Sequence, residues 1–365
     1  MRRSVISFLG RLHRRYEKFL PVATFSAGFV WDSLTLTRID RLSDNLILLG
    51  YIIGLGIMIV VVLRRQGGAS LPRWAGRLEI HFPWAIQFLL GGLFSSYVVF
   101  YFKSTSWSQT QYFFLLLVIL LVGNEFLHNR LGNPTLLAVL FTFCLIAFLS
   151  FFLPIMLAEV GTRVFLMAGL ISVTGAFLVF SLGLIREPAQ TIRRMKPVSV
   201  SILVTYAAVT LFYFANLIPP VPIALKDAGI YHNVRKTASG YEVRYIPSRR
   251  ALLAKNSDDP FYLGTGDAVY CYTAIFAPRG IRVPVNHMWS MYSRSEGWVR
   301  KARIAFEIHG GREGGYRGFS MKRAVVPGTW RVEVETEEGR IIGRIDFQVV
   351  PGLEPHPSLV TRTIN

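Results

Sequence analysis

The sequence predicts a membrane bundle of about seven hydrophobic helices followed by a soluble, all-β, sandwich-like C-terminal domain. Three observations carry that prediction. The 365 residues are 52% hydrophobic and only 17% charged, with a mean hydropathy of +0.40, a composition shifted from soluble domains toward membrane proteins. Apolar runs recur through the first 217 positions, and a helix needs about 20 such residues to cross a hydrocarbon core of roughly 30 Å. Beyond a proline-rich break the hydrophobic period changes from helical to two.

Six segments meet or approach the length of a span: Asn45–Leu63, Phe82–Phe102, Gln111–Phe126, Pro134–Leu153, Thr162–Ile185 and Val198–Leu217. Pro83 and Pro134 fall in first turns, where a missing N–H costs little, and Pro154 follows an end. A seventh segment, Phe19–Trp31, is shorter, contains Pro21 and runs into Asp32. The flanking charges favour its crossing. With seven spans, fifteen Lys and Arg of the membrane part fall on the N-terminal, cytoplasmic side and four on the other, the asymmetry of the positive-inside rule. The N-terminus is then cytoplasmic and the C-terminal domain periplasmic or extracellular.

Residues 1–18 place Val5, Phe8, Leu9, Leu12 and Tyr16 at helical spacing among arginines, which predicts a basic amphipathic segment on anionic lipid. Small residues recur four apart at Gly50 and Gly54, Gly91 and Ser95, Gly92 and Ser96, and Ala168, Ser172 and Ala176. Such ridges let helices approach closely in lipid. Cys144 and Cys271 fall in different parts of the chain and are not expected to pair.

Residues 219–224, with Pro219, Pro220 and Pro222, read as a stiff linker to a β domain over 225–352 and a tail over 353–365. Tyr241, Val243 and Tyr245 alternate with charged residues, as do Ala302, Ile304, Phe306 and Ile308, then Trp330, Val332 and Val334, then Ile345 and Phe347. Val269–Phe276 is apolar on both faces and reads as a central strand. Gly310–Gly315, Pro327-Gly328 and Glu338-Gly339 read as turns between antiparallel strands, the first as a hairpin loop.

From about Asp267 to Val350, the pattern His287-Met288-Trp289, Gly310-Gly311-Arg312, Gly315-Tyr316-Arg317, Ser320, Pro327 to Val334, Gly339 and Phe347 resembles the bacterial domain of unknown function 2914, a C-terminal module of membrane proteins. The stretch from Gly28 to Asp40 is similar to the segment that opens the membrane part of such proteins. The resemblance implies an architecture and no activity.

Candidate chemistry is sparse. Glu125 and His128 stand three apart on one helix face, a spacing used by proton and metal sites, but a metal-binding bundle needs several such contributions. A solvated helix end is the plainer account of the pair. Asp32, Arg38 and Asp40 either fix an outer loop or meet a ligand at the interface. His232, His287 and His309 have no ligand spacing with Cys271 or Asp267, and no serine sits in a nucleophile elbow. No catalytic residue, metal site or cofactor is therefore expected. What remains is a basic and aromatic cluster, with Trp289, Trp298, Arg312, Tyr316 and Arg317 as candidate contacts. The expected partners are the lipid bilayer and an envelope glycan, a lipid headgroup or another membrane protein. Nucleic acid is disfavoured by compartment, despite the net charge of +18. A binding protein is favoured over a transporter or channel and over an enzyme acting on lipid-linked substrates.

Overall fold

The apolar runs form helices in the computed structural model, which describes residues 39–68, 81–104, 111–127, 130–185, 188–246, 257–264, 266–352 and 358–364. The expectations placed on residues 1–18, on Phe19–Trp31, and on Asp32, Arg38 and His128 lie outside the described residues. Six helices are described: α1 (Leu42–Gln66), α2 (Phe82–Ser104), α3 (Gln111–Gly123), α4 (Pro134–Leu157), α5 (Thr162–Leu184) and α6 (Pro188–Phe214). Five are long and apolar enough to cross a membrane; α3 is shorter and runs on through a single tight turn, Asn124–Phe126.

Two helix ends differ from expectation. The chain stays helical through Pro154 to Leu157, and α6 starts at Pro188 with Pro197 inside it. Each proline removes one bond of the helical ladder. For Pro154 the loss falls in the last turns. For Pro197 it falls among the exposed residues Arg193, Arg194 and Lys196, where solvent can take the freed carbonyl. The start of α4 is capped: the Asn133 Oδ1 accepts from the Thr135 N–H at 2.9 Å.

The chain divides into two units: residues 1–102, 112–152 and 166–212, and residues 103–111, 153–165 and 213–365. In the first, α2 and α4 supply an aromatic interior. Phe100 and Phe148 meet Phe151 edge-on at 5.5 and 5.4 Å, and Tyr97 and Tyr101 donate to the Cys144 and Ala147 carbonyls at 2.8 and 3.0 Å. Bonding a phenol to a carbonyl of the neighbouring helix avoids an unpaired donor in apolar surroundings. The small residues act as predicted at several positions: Gly92 lies under the Tyr51 ring, and Ala168, Ser172 and Ala176 are buried; Gly169, outside the predicted pairs, lies under Tyr206. At Gly50 nothing among the described residues lies within 4 Å of where a Cβ would stand.

The second unit contains eleven strands: β1 (Ala224–Tyr231), β2 (Asn233–Thr237), β3 (Gly240–Tyr245), β4 (Phe261–Leu263), β5 (Val269–Phe276), β6 (Arg282–Ser293), β7 (Gly297–His309), β8 (Tyr316–Lys322), β9 (Gly328–Thr336), β10 (Ile341–Pro351) and β11 (Val360–Ile364). They form three sheets, ordered β1-β5-β8, β4-β10-β9-β6-β7 and β11-β3-β2. The expected central strand, β5, lies between β1 and β8. Ile230, Val269 and Cys271 of the first sheet share one core with Trp289, Trp330, Val332, Phe347 and Val349 of the second. Tyr231, Tyr272 and Ala274, on the other face of the first sheet, pack against Val234, Val243 and Tyr245 of the third.

Three expectations change here. Gly310–Gly315 is no hairpin, because β7 and β8 belong to different sheets; the loop crosses between them. It holds tightly to the β5–β6 connection: the Gly311 N–H donates to the Ala277 carbonyl at 2.9 Å, and a Cβ at Gly310 would collide with the Pro278 carbonyl. The pairing is not wholly antiparallel, since β4 runs parallel to β10. The linker is not free, since Ile223 is buried in a core cluster with Ile275, Val283 and Val334.

This unit also includes helix termini. The β9–β10 turn carries Glu338, whose carboxylate accepts from the Thr162 N–H at 2.9 Å and from its hydroxyl at 2.7 Å, capping the start of α5. Arg340, two residues on, donates to the Tyr213 and Ile218 carbonyls, each at 2.6 Å.

Candidate functional site

The five candidate contacts of the β domain separate in space. Trp289 is fully buried, 6.3 Å edge-on from Phe347, and its indole N–H donates to the Ser320 hydroxyl at 3.1 Å. It has no surface to offer a ligand, so it is a core residue and not a contact. Its parity along β6, shared with Val283, Val285 and His287, points to the interior, and that signal is present in the sequence.

Around Trp289 lies a buried polar network joining two sheets. His287 Nδ1 is 2.8 Å from the Ser320 hydroxyl and its Nε2 is 3.0 Å from the Thr273 hydroxyl. One assignment satisfies every group: Trp289 donates to Ser320, Ser320 donates to Nδ1, and Nε2–H donates to Thr273. The serine–imidazole pair resembles a nucleophile with its base, but both residues are buried and the second nitrogen faces a hydroxyl instead of an orienting carboxylate. The arrangement locks two sheets together.

Burial lowers the His287 pKa from the ordinary 6.5 to about 3. The folded state therefore holds the neutral ring. Its contribution to stability is fully present above pH 6.5 and is lost as pH falls toward 3, at roughly 1.4 kcal/mol per unit. Urea midpoints at pH 6, 5 and 4 should fall more steeply for the native chain than for His287→Gln; equal slopes would contradict a buried neutral imidazole.

Trp298 opens β7 and is exposed. Tyr292 meets it edge-on at 5.5 Å, and the Arg331 guanidinium stacks 3.8 Å from its ring centroid. Arg331 is already committed to Asp346, at 2.5 and 3.3 Å, and in the next row Arg344 is committed to Glu333. These two arginines of the sheet face are thus compensated within it.

Arg312 and Tyr316 lie beyond the other end of β7, roughly 36 Å from Trp298 by strand rise. Arg312 sits 5.6 Å over the Tyr316 ring, which leans 5.7 Å from His309. Tyr316 and Arg317 face opposite sides of β8. Arg317 shares its side with Phe319 and Met321, opposite Ala274, Tyr272 and Tyr270 of β5. Phe319 is 39% and Met321 38% exposed. Tyr270 lies 6.0 Å and Tyr241 6.3 Å from Phe319, and Tyr241 donates to the Arg317 carbonyl at 3.1 Å. Burial and the neighbouring Tyr316 raise the Tyr241 pKa, and Arg312 and Arg317 offset part of that rise. Neither has a carboxylate partner among the described residues. The result is a shelf in which Phe319 and Met321 are exposed and Tyr241 and Tyr270 are half-buried beside them, with Arg317 and Arg312 toward its end. Sequence reasoning names Arg312, Tyr316 and Arg317 and misses Tyr241, Tyr270 and Phe319, although Phe319 shares the parity of Arg317.

The other polar groups are engaged. Glu125 is exposed at the end of α3; the Gln87 amide lies 3.3 Å from its carboxylate and 3.2 Å from the Asn124 carbonyl, and Asn124 donates back to Gln87 at 2.9 Å. His232 pairs with the buried Asp258 at 2.8 Å and stacks on Phe261. Cys144 and Cys271 are free, buried thiols. Among the described residues no group of three or more His, Cys, Asp or Glu could hold a metal ion.

Among solved structures, the chain is similar to Pseudomonas fluorescens alkylpurine DNA glycosylase AlkC bound to DNA containing an abasic site analog, at 10% identity over 86% of this chain and 100% of that one, with a TM-score of 0.21. At that score the likeness carries no argument. No curated protein matches the chain. Residues 283–349, which hold His287, Trp289 and Ser320 of the inter-sheet lock together with Arg312, Arg317 and Phe319 of the shelf, match the family described as Protein of unknown function (DUF2914).

Proposed function

We propose that the chain is a membrane-anchored, non-catalytic binding protein whose C-terminal region, a layered β-sandwich, takes an anionic glycan on the shelf of Tyr241, Tyr270, Phe319 and Met321, with Arg312 and Arg317 gripping its carboxylates or phosphates. One observation carries the reading: the exposed Phe319 ring, with the half-buried rings of Tyr241 and Tyr270 beside it, adjoins two guanidiniums that have no carboxylate partner among the described residues. Aromatic faces present apolar area to sugar rings at little entropic cost, and guanidinium forks match oxyanions. The surface around Trp298 is the weaker candidate, because its arginine is already held by Asp346.

The bundle serves as anchor in this reading. Gln87 and Asn124 bond each other across α2 and α3, as polar residues that hold helices together do. Seven spans in a bacterial cell membrane would put the N-terminus in the cytoplasm and the β region outside, in reach of envelope polymers; phosphatase fused to the C-terminus should then be active. The binding test titrates the full chain in detergent with a polygalacturonate oligomer. Phe319→Ala and Arg317→Ala should each weaken binding about tenfold or more, with Trp298→Ala near the native value. No binding by the native chain, or equal affinities across the set, would overturn the reading.

A further inference from the structure

In the five-stranded sheet, β7 is the last strand of the order β4-β10-β9-β6-β7, and among the described residues no strand pairs with its outer side. An open edge of 13 residues is a template for pairing, because its free N–H and C=O groups lie in a row. The alternation of the ladder says which groups are free. The Gly310 N–H donates to the Ile281 carbonyl at 2.9 Å. In the same phase Ile308, Phe306 and Ile304 turn their backbone groups toward Val283, Val285 and His287 of β6, and Glu307, Ala305 and Arg303 turn theirs away. The Thr336 N–H, donating to the Arg340 carbonyl at 2.9 Å, carries this phase across β9. Arg303, Ala305 and Glu307 are exposed, and between them Ile304 and Phe306, which border the two cores, are half-buried.

We infer that this edge pairs with the same edge of a second copy of the chain, antiparallel, around a two-fold axis at Ala305. Charge complementarity selects the occupant. In that register the small Ala305 faces itself, Arg303 faces Glu307 of the second copy, and Glu307 faces its Arg303, so the strand is complementary to its own reverse. All three residues have outward backbone groups, as the hydrogen-bonded pairs of an antiparallel ladder require. Within its own chain Arg303 lies near Glu335, and Glu307 lies 3.8 Å from His309, but Arg303 and Glu307 both stay exposed. Regular pairing ends at Lys301, the extra residue of a bulge opposite Trp289 and Ser290. An acidic strand from another protein would meet Glu307 with like charge, and a basic one would meet Arg303. A second copy satisfies both, and its strand also covers the half-buried Ile304 and Phe306.

Light scattering of the full chain in nonionic detergent, over a dilution series, tests the pairing and should find a dimer. Glu307→Arg, which sets arginine against arginine on both sides of the axis, should raise the dissociation constant about tenfold. Exchanging the charges, Arg303→Glu with Glu307→Arg, should restore it. Ala305→Pro removes an outward N–H that β6 does not use and should also dissociate the dimer. Ala305→Cys reads the register directly. The Cα atoms of a hydrogen-bonded pair stand about 5.5 Å apart, within reach of a disulfide, so mild oxidation should link the two copies. Lys301→Cys, far out of register with its own copy, should not link, and the native Cys144 and Cys271 are buried. A native chain monomeric throughout the series, which leaves the edge to another protein or to none, would overturn the assignment. So would a dimer indifferent to both Glu307→Arg and Ala305→Pro, or equal cross-linking of Ala305→Cys and Lys301→Cys.

Discussion

Trp289→Ala should destabilise the β region by about 3–5 kcal/mol, the range for emptying a buried tryptophan site. The side chain is fully buried among Cys271, Phe261, Trp330 and Phe347, and its indole N–H is bonded to Ser320. Removing it opens a cavity between two sheets and unbalances the hydroxyl that also holds His287. Pulse proteolysis of the full chain across a urea series reads the effect as a fall in midpoint of at least about 1 M. Trp298→Ala, on the exposed face, should leave the midpoint almost unchanged. Equal shifts for the two tryptophans would mean that the inter-sheet core is misplaced.

Arg340→Met should cost about 3 kcal/mol, because each hydrogen bond to a charged donor is worth roughly 1.5–3 kcal/mol and burying the guanidinium offsets part of the gain. Its two terminal nitrogens cap the Tyr213 and Ile218 carbonyls, and its plane lies 3.6 Å over the Tyr213 ring. Burial also lowers the Arg340 pKa below the usual arginine value, the signature of a charge held away from water. Thermal unfolding of the second unit should shift down by roughly 6–12 °C. Arg340→Lys should not rescue it, since one ammonium cannot present the planar fork that reaches both carbonyls. A full rescue by lysine would show that charge alone matters there.

The contrast between Trp289 and Trp298 shows how far the sequence can be read. The helices are legible because apolar runs near membrane length have few alternatives, yet their ends are not, because Pro154 falls in the last turns of α4 and Pro197 lies inside α6 among exposed residues, where solvent can take the freed carbonyl. Alternation marks most strands and places a true hairpin at Glu338-Gly339. It cannot assign strands to sheets, so the Gly310–Gly315 crossing has the look of a hairpin and the parallel β4–β10 pair leaves no trace. The last strand, β11, falls in the expected tail because most of it is exposed and gives no alternation to detect.

The candidate site is legible in residue type and not in place. Arginines and aromatics are the right chemistry, but the distinction between Arg331, neutralised by Asp346, and Arg317, with no carboxylate partner among the described residues, depends on which strand lies beside which. Tyr241 reaches β8 only through the packing of the third sheet on the first.

Hydrogen exchange of the full chain with and without a saturating polygalacturonate oligomer addresses the glycan shelf most directly. Binding there predicts added protection over residues 312–322 and 240–245, with none around Tyr292 and Trp298. Protection centred on Tyr292 and Trp298, or a bound polymer that protects neither region, would contradict it.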